Sequence, residues 1–296
     1  MDTTWVIANP AAGRGTSRPR LGALREEFLS AGVRYFSETR SAGDEESLAN
    51  RAIDGGAHRL VVIGGDGTCA RVASAILNRQ SDCALAVIPV GTGNDFAKTL
   101  GVAGLSRAGQ LGVALNGTTH RIDVGRAETF HFINSCGFGF DASVLEASNR
   151  VRWLKGNAVY LYAAVAQLLS YKGTKVSVDS EIPSTRLMIT VSNGRFLGGA
   201  FRIAPSASVV DGLLDVNFID NCGVLERIRI FAGAIRGTHG SRRAVQAEKR
   251  NSLKLEFAEP PLMEIDGELS RASSNTVTIE CIPRAVSVIA APTAVL

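Results

Sequence analysis

Aromatic residues are scarce, 6% of 296 positions, and charge is nearly balanced, with 32 lysines and arginines against 28 acids. Proteins that stack bases and neutralise long runs of phosphate need more of both, so nucleic acid is not an expected partner. The five cysteines (Cys69, Cys83, Cys136, Cys222 and Cys281) are odd in number and form no CxxC pair. That argues against a zinc site or a disulfide framework and for reduced thiols in a cytoplasmic protein. Long apolar runs are missing too. The uncharged stretch GNAVYLYAAVAQLLSY, residues 156–171, has 16 residues and includes Asn157 and Gln167. A membrane span needs about 20 apolar residues, so a buried helix is expected here. The opening MDTTWVIANP begins with a strand-like run and has no basic segment followed by a long apolar one, so no signal peptide is expected. There is no HxxxH, GxSxG or Walker A sequence, and none of His58, His120, His131 and His239 sits in a motif.

What is present is an ordinary globular composition, 45% hydrophobic and 20% charged, in a chain long enough for two domains. Over residues 1–118, strand-like runs at 4–9, 33–38, 59–64 and 84–90 alternate with helical patterns near 17–31, 43–55 and 67–79. This predicts an α/β domain with a parallel sheet and helices on both faces. Over 119–296 strand-like runs follow one another at 120–127, 130–136, 175–180, 186–193, 201–205, 213–220, 252–257, 276–282 and 285–290. Helical patterns interrupt them near 157–171 and 223–237. A β-sandwich is expected, with the extreme C-terminal segment returning to the first domain.

The chemistry concentrates where the predicted parallel strands end, which is where open α/β sheets bind ligands. In VIGGDGT, residues 62–68, an aspartate stands among three glycines between a buried strand and an amphipathic helix. Turn amides and a helix N-terminus favour an anion there. Asp66 would repel a bare phosphate but suits one carrying Mg²⁺, or a hydroxyl about to lose its proton. The plainer alternative is that Asp66 only caps the helix. GTGND, residues 91–95, repeats the arrangement with Asp95, so the two carboxylates together could hold Mg²⁺ and the phosphates it bridges. NPAAGRG, residues 9–15, offers backbone donors and one cation, Arg14, although an ordinary turn explains it equally well. Further on, Asp211-Gly212 in APSASVVDGLLDV and Asp266-Gly267 in MEIDGE read as turns.

Taken in order, Asn9-Pro10 with Gly13, the run 64–68, PVGTGNDFAKTLG (89–101), GGAFRIAPSASVVDGLLDV (198–216) and IDGE (265–268) resemble the soluble diacylglycerol kinase catalytic family. That family includes sphingosine and ceramide kinases and bacterial lipid kinases. The resemblance runs from residue 4 to about 290. It implies a nucleotide-binding α/β domain, a β-sandwich and an active site in the cleft between them. It also implies ATP and Mg²⁺ as cofactors and a lipid hydroxyl as acceptor. Carried over by position, Asn9, Pro10, Ala11, Ala12, Gly13, Thr39, Gly64, Gly65, Asp66, Gly67, Thr68 and Thr92 would contact ATP. Asp66 and Asp95 would organise the Mg²⁺–phosphate centre, and Glu268 would accept the proton of the lipid hydroxyl. Ser208 and Leu213 through their carbonyls, and Asp211 through its carboxylate, would form a structural metal site. The chain departs from the pattern at Ala70-Arg71, where family members often carry Asn-Glu.

Two rivals share part of this pattern. An NAD kinase would show GGDGT but needs neither GTGNDFA nor the run around Asp211, and a nucleotide- or lipid-binding relative without turnover would keep the fold alone. A lipid acceptor implies peripheral contact with a membrane. Residues 236–250, RGTHGSRRAVQAEKR, hold five cations against one acid and form the candidate contact, with a solvated loop as the plain alternative.

Overall fold

In the computed structural model the described residues are 3–15, 18–41, 43–150, 157–294 and 296. The chain divides into two units, one of residues Met1–Val124 with Pro283–Leu296 and one of residues Gly125–Ile282.

The first unit is built from β1 (Thr4–Ala8), α1 (Arg18–Ser30), β2 (Tyr35–Glu38), α2 (Asp44–Asp54), β3 (Arg59–Gly64), α3 (Asp66–Asn78), β4 (Ala84–Pro89), α4 (Asp95–Thr99), α5 (Arg107–Asn116) and the start of β5 (Thr118–Ala127). Strands β2, β1, β3 and β4 lie side by side in that order and all pair in parallel. Leu60, Val61, Val62 and Ile63 of β3 are all fully buried, as expected of a strand covered on both faces. Leu21, Leu24 and Phe28 of α1 and Ala114 of α5 meet Val6, Ala8, Val61, Ile63 and Ile88 in one core. Helices α2 and α3 pack on each other and on β1 and β3. This parallel α/β architecture matches the reading of the first domain.

The second unit contains β6 (Phe130–Phe132), β7 (Ser135–Gly139), α6 (Phe140–Arg150), α7 (Asn157–Ser170), β8 (Thr174–Val178), β9 (Ser184–Ser192), β10 (Leu214–Asp220), α8 (Val224–Arg236), β11 (Val245–Arg250), β12 (Ser252–Phe257), β13 (Leu262–Ile265), β14 (Glu268–Arg271) and the first part of β15 (Thr276–Ala290). Its strand pairs are antiparallel, in the order β14-β13-β7-β9-β8-β12-β15, with β10 joining β9 to β11. Phe132, Phe138, Ile189, Val216, Leu255 and Ile279 lie in the core of this β-sandwich. A second core, with Val144, Leu187, Ile203 and Ile230, lies under α6 and α8.

Several local expectations change. The run 130–136 is two strands, because the amides of Ile133 and Asn134 donate to Asp266 at 2.8 Å each and are lost to the ladder. Residues 201–205 make one isolated bridge, Leu197 to Phe201, in place of a strand. The runs 276–282 and 285–290 are a single strand, β15, whose last part pairs in parallel with β4 at Ser287 and Val288. Helix α4 starts at Asp95, where a helix start was expected, whereas α5 and α6 were not anticipated; their apolar residues follow glycine-bearing turns and are too few to show a clear period. The candidate basic loop at 236–250 ends in strand β11. The uncharged run 156–171 is helical from Asn157, and its first residue lies outside the described residues. Among the described residues no helix is long and apolar enough to cross a membrane.

Candidate active site

Two strand-to-helix turns stand against each other at the carboxyl edge of the first unit's sheet. The amide of Val90, just past β4, donates to the carbonyl of Gly64 at 3.0 Å. A Cβ on Gly91 would lie 2.6 Å from the Cα of Gly65, so neither turn tolerates a side chain there. Gly65 therefore serves close backbone approach between the turns, while Gly64 leaves room for the Thr68 side chain. Positive φ is not the reason, since Gly65 sits at −105° and the left-handed residue is Asn94, at 52°. Asn94 stabilises that conformation by accepting from the Gly91 amide at 2.9 Å and donating to the Gly91 carbonyl at 2.8 Å.

Asp66 and Asp95 are the first residues of α3 and α4. The capping alternative for Asp66 fails: its Oδ1 accepts the amide of Phe96, in the neighbouring turn, at 3.0 Å. Burial pushes the Asp66 carboxyl above its ordinary value, and the Asp95 charge pushes it the same way. Asp95 is buried and receives Lys98 Nζ on Oδ1 at 2.8 Å. Two carboxylates converging under one lysine fit a divalent cation, which would relieve the repulsion that raises Asp66.

At the end of β1, Asn9 joins this edge. Its Nδ2 donates to Thr68 Oγ1 at 3.0 Å and to Glu45 Oε1 at 3.1 Å, and its Oδ1 accepts the Ala11 amide at 2.9 Å. The Asx turn so formed sets Pro10, Ala11 and Ala12, and Gly13 follows at φ 58°. Buried Glu45 accepts the Gly43 amide at 3.0 Å through its other oxygen. Sequence reading missed Glu45; the acidic start of α2, DEES, was the available signal. Thr39 is buried and donates its amide to Ala8, while Thr92 is exposed at the tip of the second turn. Arg71, at the departure from the family pattern, reaches the start of α2 near Gly43. The Arg14 side chain lies outside the described residues.

In the second unit Glu268 is exposed and opens β14. It faces Ile265 across a two-residue turn in which Asp266 and Gly267 have φ of 47° and 88°, the signs of a type I′ hairpin. Asp266 accepts three amides, from Ile133, Asn134 and Ser135, at 2.8 to 3.0 Å, which fixes the hairpin. Next to it lies a pair that sequence reading did not find. Asp141 of α6 and Glu264 of β13 are both buried, and a Cβ on Gly137 would lie 2.1 Å from Asp141 Oδ2 and 3.2 Å from Glu264 Oε2. Burial raises the Asp141 carboxyl to about 6 and, with the Asp141 charge, lifts Glu264 well above its ordinary range. One proton shared between the two carboxyls would satisfy both. Asp141 is also the one acid on a cavity of about 150 Å³ lined by Phe140, Val144, Leu168, Met188, Phe201, Phe231 and other apolar or small residues.

Ser208, Asp211 and Leu213 lie in the loop before β10. Asp211, the one carboxylate among them, is already engaged. Asp211 Oδ1 accepts the Leu213 amide at 3.1 Å, and Oδ2 holds Lys249 Nζ at 2.7 Å. Among the described residues no cluster of three or more histidines, cysteines or acids is placed to hold a metal ion. The basic segment is internally paired as well. Arg242 makes two bonds to Glu226 at 2.8 and 2.7 Å, Lys249 binds Asp211, and Arg250 binds Glu248 and Asp179. Arg236 and Arg243 stay exposed.

Asn9, residues 64–68 and Asp95 thus gather at one sheet edge of the first unit, whereas Glu268, Ser208, Asp211 and Leu213 belong to the second. Comparison with known proteins agrees with this division. Residues 3–127 match the diacylglycerol kinase catalytic domain, and residues 134–290 match the YegS C-terminal NAD kinase beta sandwich-like domain. The chain is 28% identical over 275 residues to the diacylglycerol kinase of Bacillus subtilis, covering 90% of each. It is 30% identical over 271 residues to a Pseudomonas aeruginosa protein named "Probable lipid kinase YegS-like", covering 89% of this chain and 86% of that one. A crystal structure of a diacylglycerol kinase from Bacillus anthracis has the same fold, with a TM-score of 0.75 at 22% identity over 99% of this chain and 98% of that one. With its two domains matched in order and its turns built as described, the chain belongs to the diacylglycerol and lipid kinase family of phosphotransferases.

Proposed function

We propose that the protein transfers a phosphoryl group from ATP to the free hydroxyl of diacylglycerol or a related lipid, with Mg²⁺. The observation supporting this reading is the pair of glycine turns in backbone contact that deliver Asp66 and Asp95 to one sheet edge. Turn amides and the first turn of α3 attract phosphate, and the carboxylates select phosphate that carries a cation. Mg²⁺ held by Asp66 and Asp95 would neutralise charge developing on the phosphates.

The residues of this chain supply positioning. Asn9 is fixed by Thr68 and Glu45 and sets the 10–13 turn. Together with Thr39, residues 64–68 and Thr92, that turn is assigned to ATP. The Phe96 amide on Oδ1 fixes the rotamer of Asp66. Glu268 is assigned as proton acceptor for the lipid hydroxyl, on a hairpin made rigid by Asp266. Asp66 is the second candidate for that role, in place of holding the metal. The apolar cavity under α6, with Asp141 at its wall, is assigned to the acyl part of the acceptor.

The test is a panel assay with labelled ATP and Mg²⁺, presenting diacylglycerol, ceramide, sphingosine and monoacylglycerol in detergent micelles and NAD in solution. Label on a lipid and none on NAD is expected. Label on NAD would replace the reading with the NAD kinase alternative, and nucleotide binding with no labelled product would leave a binding relative.

A further inference from the structure

We propose that the ε-ammonium of Lys249 is the cation of the loop around Asp211, in the place where the family resemblance implies a structural metal. Lys249 in β11 stands directly opposite Asp215 in β10. Its Nζ lies 2.7 Å from Asp211 Oδ2, 3.0 Å from Asp215 Oδ2 and 3.1 Å from the carbonyl of Ser206. The ammonium, which only donates, hydrogen-bonds Asp211 and the Ser206 carbonyl and pairs by charge with Asp215.

One of these oxygens, Asp211 Oδ2, belongs to the only carboxylate among the residues expected to hold a metal. Asp211 holds the Leu213 amide on its other oxygen, and the second Asp215 oxygen accepts Ser206 Oγ at 2.7 Å. Both carboxylates are therefore committed on both sides. A divalent ion entering beside Asp211 would have to displace a cation already within hydrogen-bond distance or stand against its charge. The sequence obscures this arrangement because Lys249 lies 38 positions beyond Asp211 and is brought back by the β10–β11 hairpin.

Lys249 closes the loop onto the sheet by a covalently attached charge. The loop's order then needs no dissolved metal, and a divalent ion gives no stabilisation through Asp211. Mass action supplies the measurement, since a ligand that binds only the folded state raises its melting temperature. The purified full chain, treated with EDTA and free of nucleotide, is melted with and without Mg²⁺ as wild type, D211N and K249Q. Any contribution of Mg²⁺ at Asp66 and Asp95 is common to all three.

The increment caused by Mg²⁺ is expected to be the same in wild type and D211N. In K249Q the melting point without metal falls, and the Mg²⁺ increment grows because two carboxylates are left facing one space. A wild-type increment clearly larger than that of D211N would overturn the proposal, as would an unchanged melting point in K249Q. If K249Q does not fold, the comparison of wild type with D211N still decides.

Discussion

Asp66 with Asp95 in the first unit and Asp211 with Asp215 in the second are alike on paper: each pair includes an aspartate followed by glycine, near the boundary of a regular element. In space they differ. Lys249 bridges both acids of the second pair. In the first pair Lys98 binds Asp95, while Asp66 turns one oxygen to a backbone amide and feels its neighbour's charge. In a third pair, Asp141 with Glu264, burial raises both carboxyls and favours a protonated form. What surrounds an acid pair thus differs from one to the next, and the neutralising group can stand three residues away, as Lys98 does, or far along the chain, as Lys249 does.

The largest expected effect comes from breaking the first pair. If Asp66 and Asp95 hold the metal–phosphate centre, D66N and D95N should each lower kcat by at least about 10²-fold with circular dichroism unchanged. Near-normal turnover in either folded variant would remove the contrast with Asp211, whose D211N variant should keep most of its activity.

Glycine substitution sharpens the comparison next. Gly91→Ala forces a Cβ to 2.6 Å from Gly65 Cα and should cost roughly 1–3 kcal/mol in unfolding free energy. Gly212, at φ 76° with open space around its Cβ position, should cost about 1 kcal/mol as alanine, from backbone strain alone. Equal costs in chemical denaturation would mean that the first pair of turns is not held in contact.

The third pair has a pH signature. Asp141 and Glu264 bind their protons more tightly in the folded chain than in the unfolded one. Their contribution is fully present below the ordinary carboxylate range and is lost as pH rises through about 6 for Asp141 and higher still for Glu264. Melting temperature should therefore fall between pH 5 and pH 8, and E264Q should flatten that fall; identical slopes would show that the two acids do not share a proton.

The smallest effect concerns the basic segment 236–250. With Arg242, Lys249 and Arg250 paired to acids, binding to anionic vesicles should change by no more than about threefold between 50 and 200 mM salt. A steep salt dependence would restore the segment as a docking patch.

The parallel sheet was legible because buried β-branched runs such as RLVVIG announce themselves, and the turn glycines were legible because each breaks such a run. Pairings across distance were not. Nothing local in VQAEKR ties Lys249 to Asp211, and nothing in GFGFDASV shows that Asp141 will meet Glu264 over the bare face of Gly137. The break at Ile133-Asn134 was equally hidden, because the carboxylate that captures those amides comes from Asp266, more than 130 residues later. Chemistry fixed by one turn could be read, whereas chemistry made by strand register could not.

Strand β15 has a consequence for the order of events on the ribosome. Its last part lies beside β4, Ile289 is buried in the first unit's core, and the Ala291 amide bonds to Leu100. The first unit to be translated is therefore the last to be finished. Its sheet edge waits through synthesis of the whole second unit, and a chain stopped before residue 283 would release a first unit whose β4 has lost its partner on that edge.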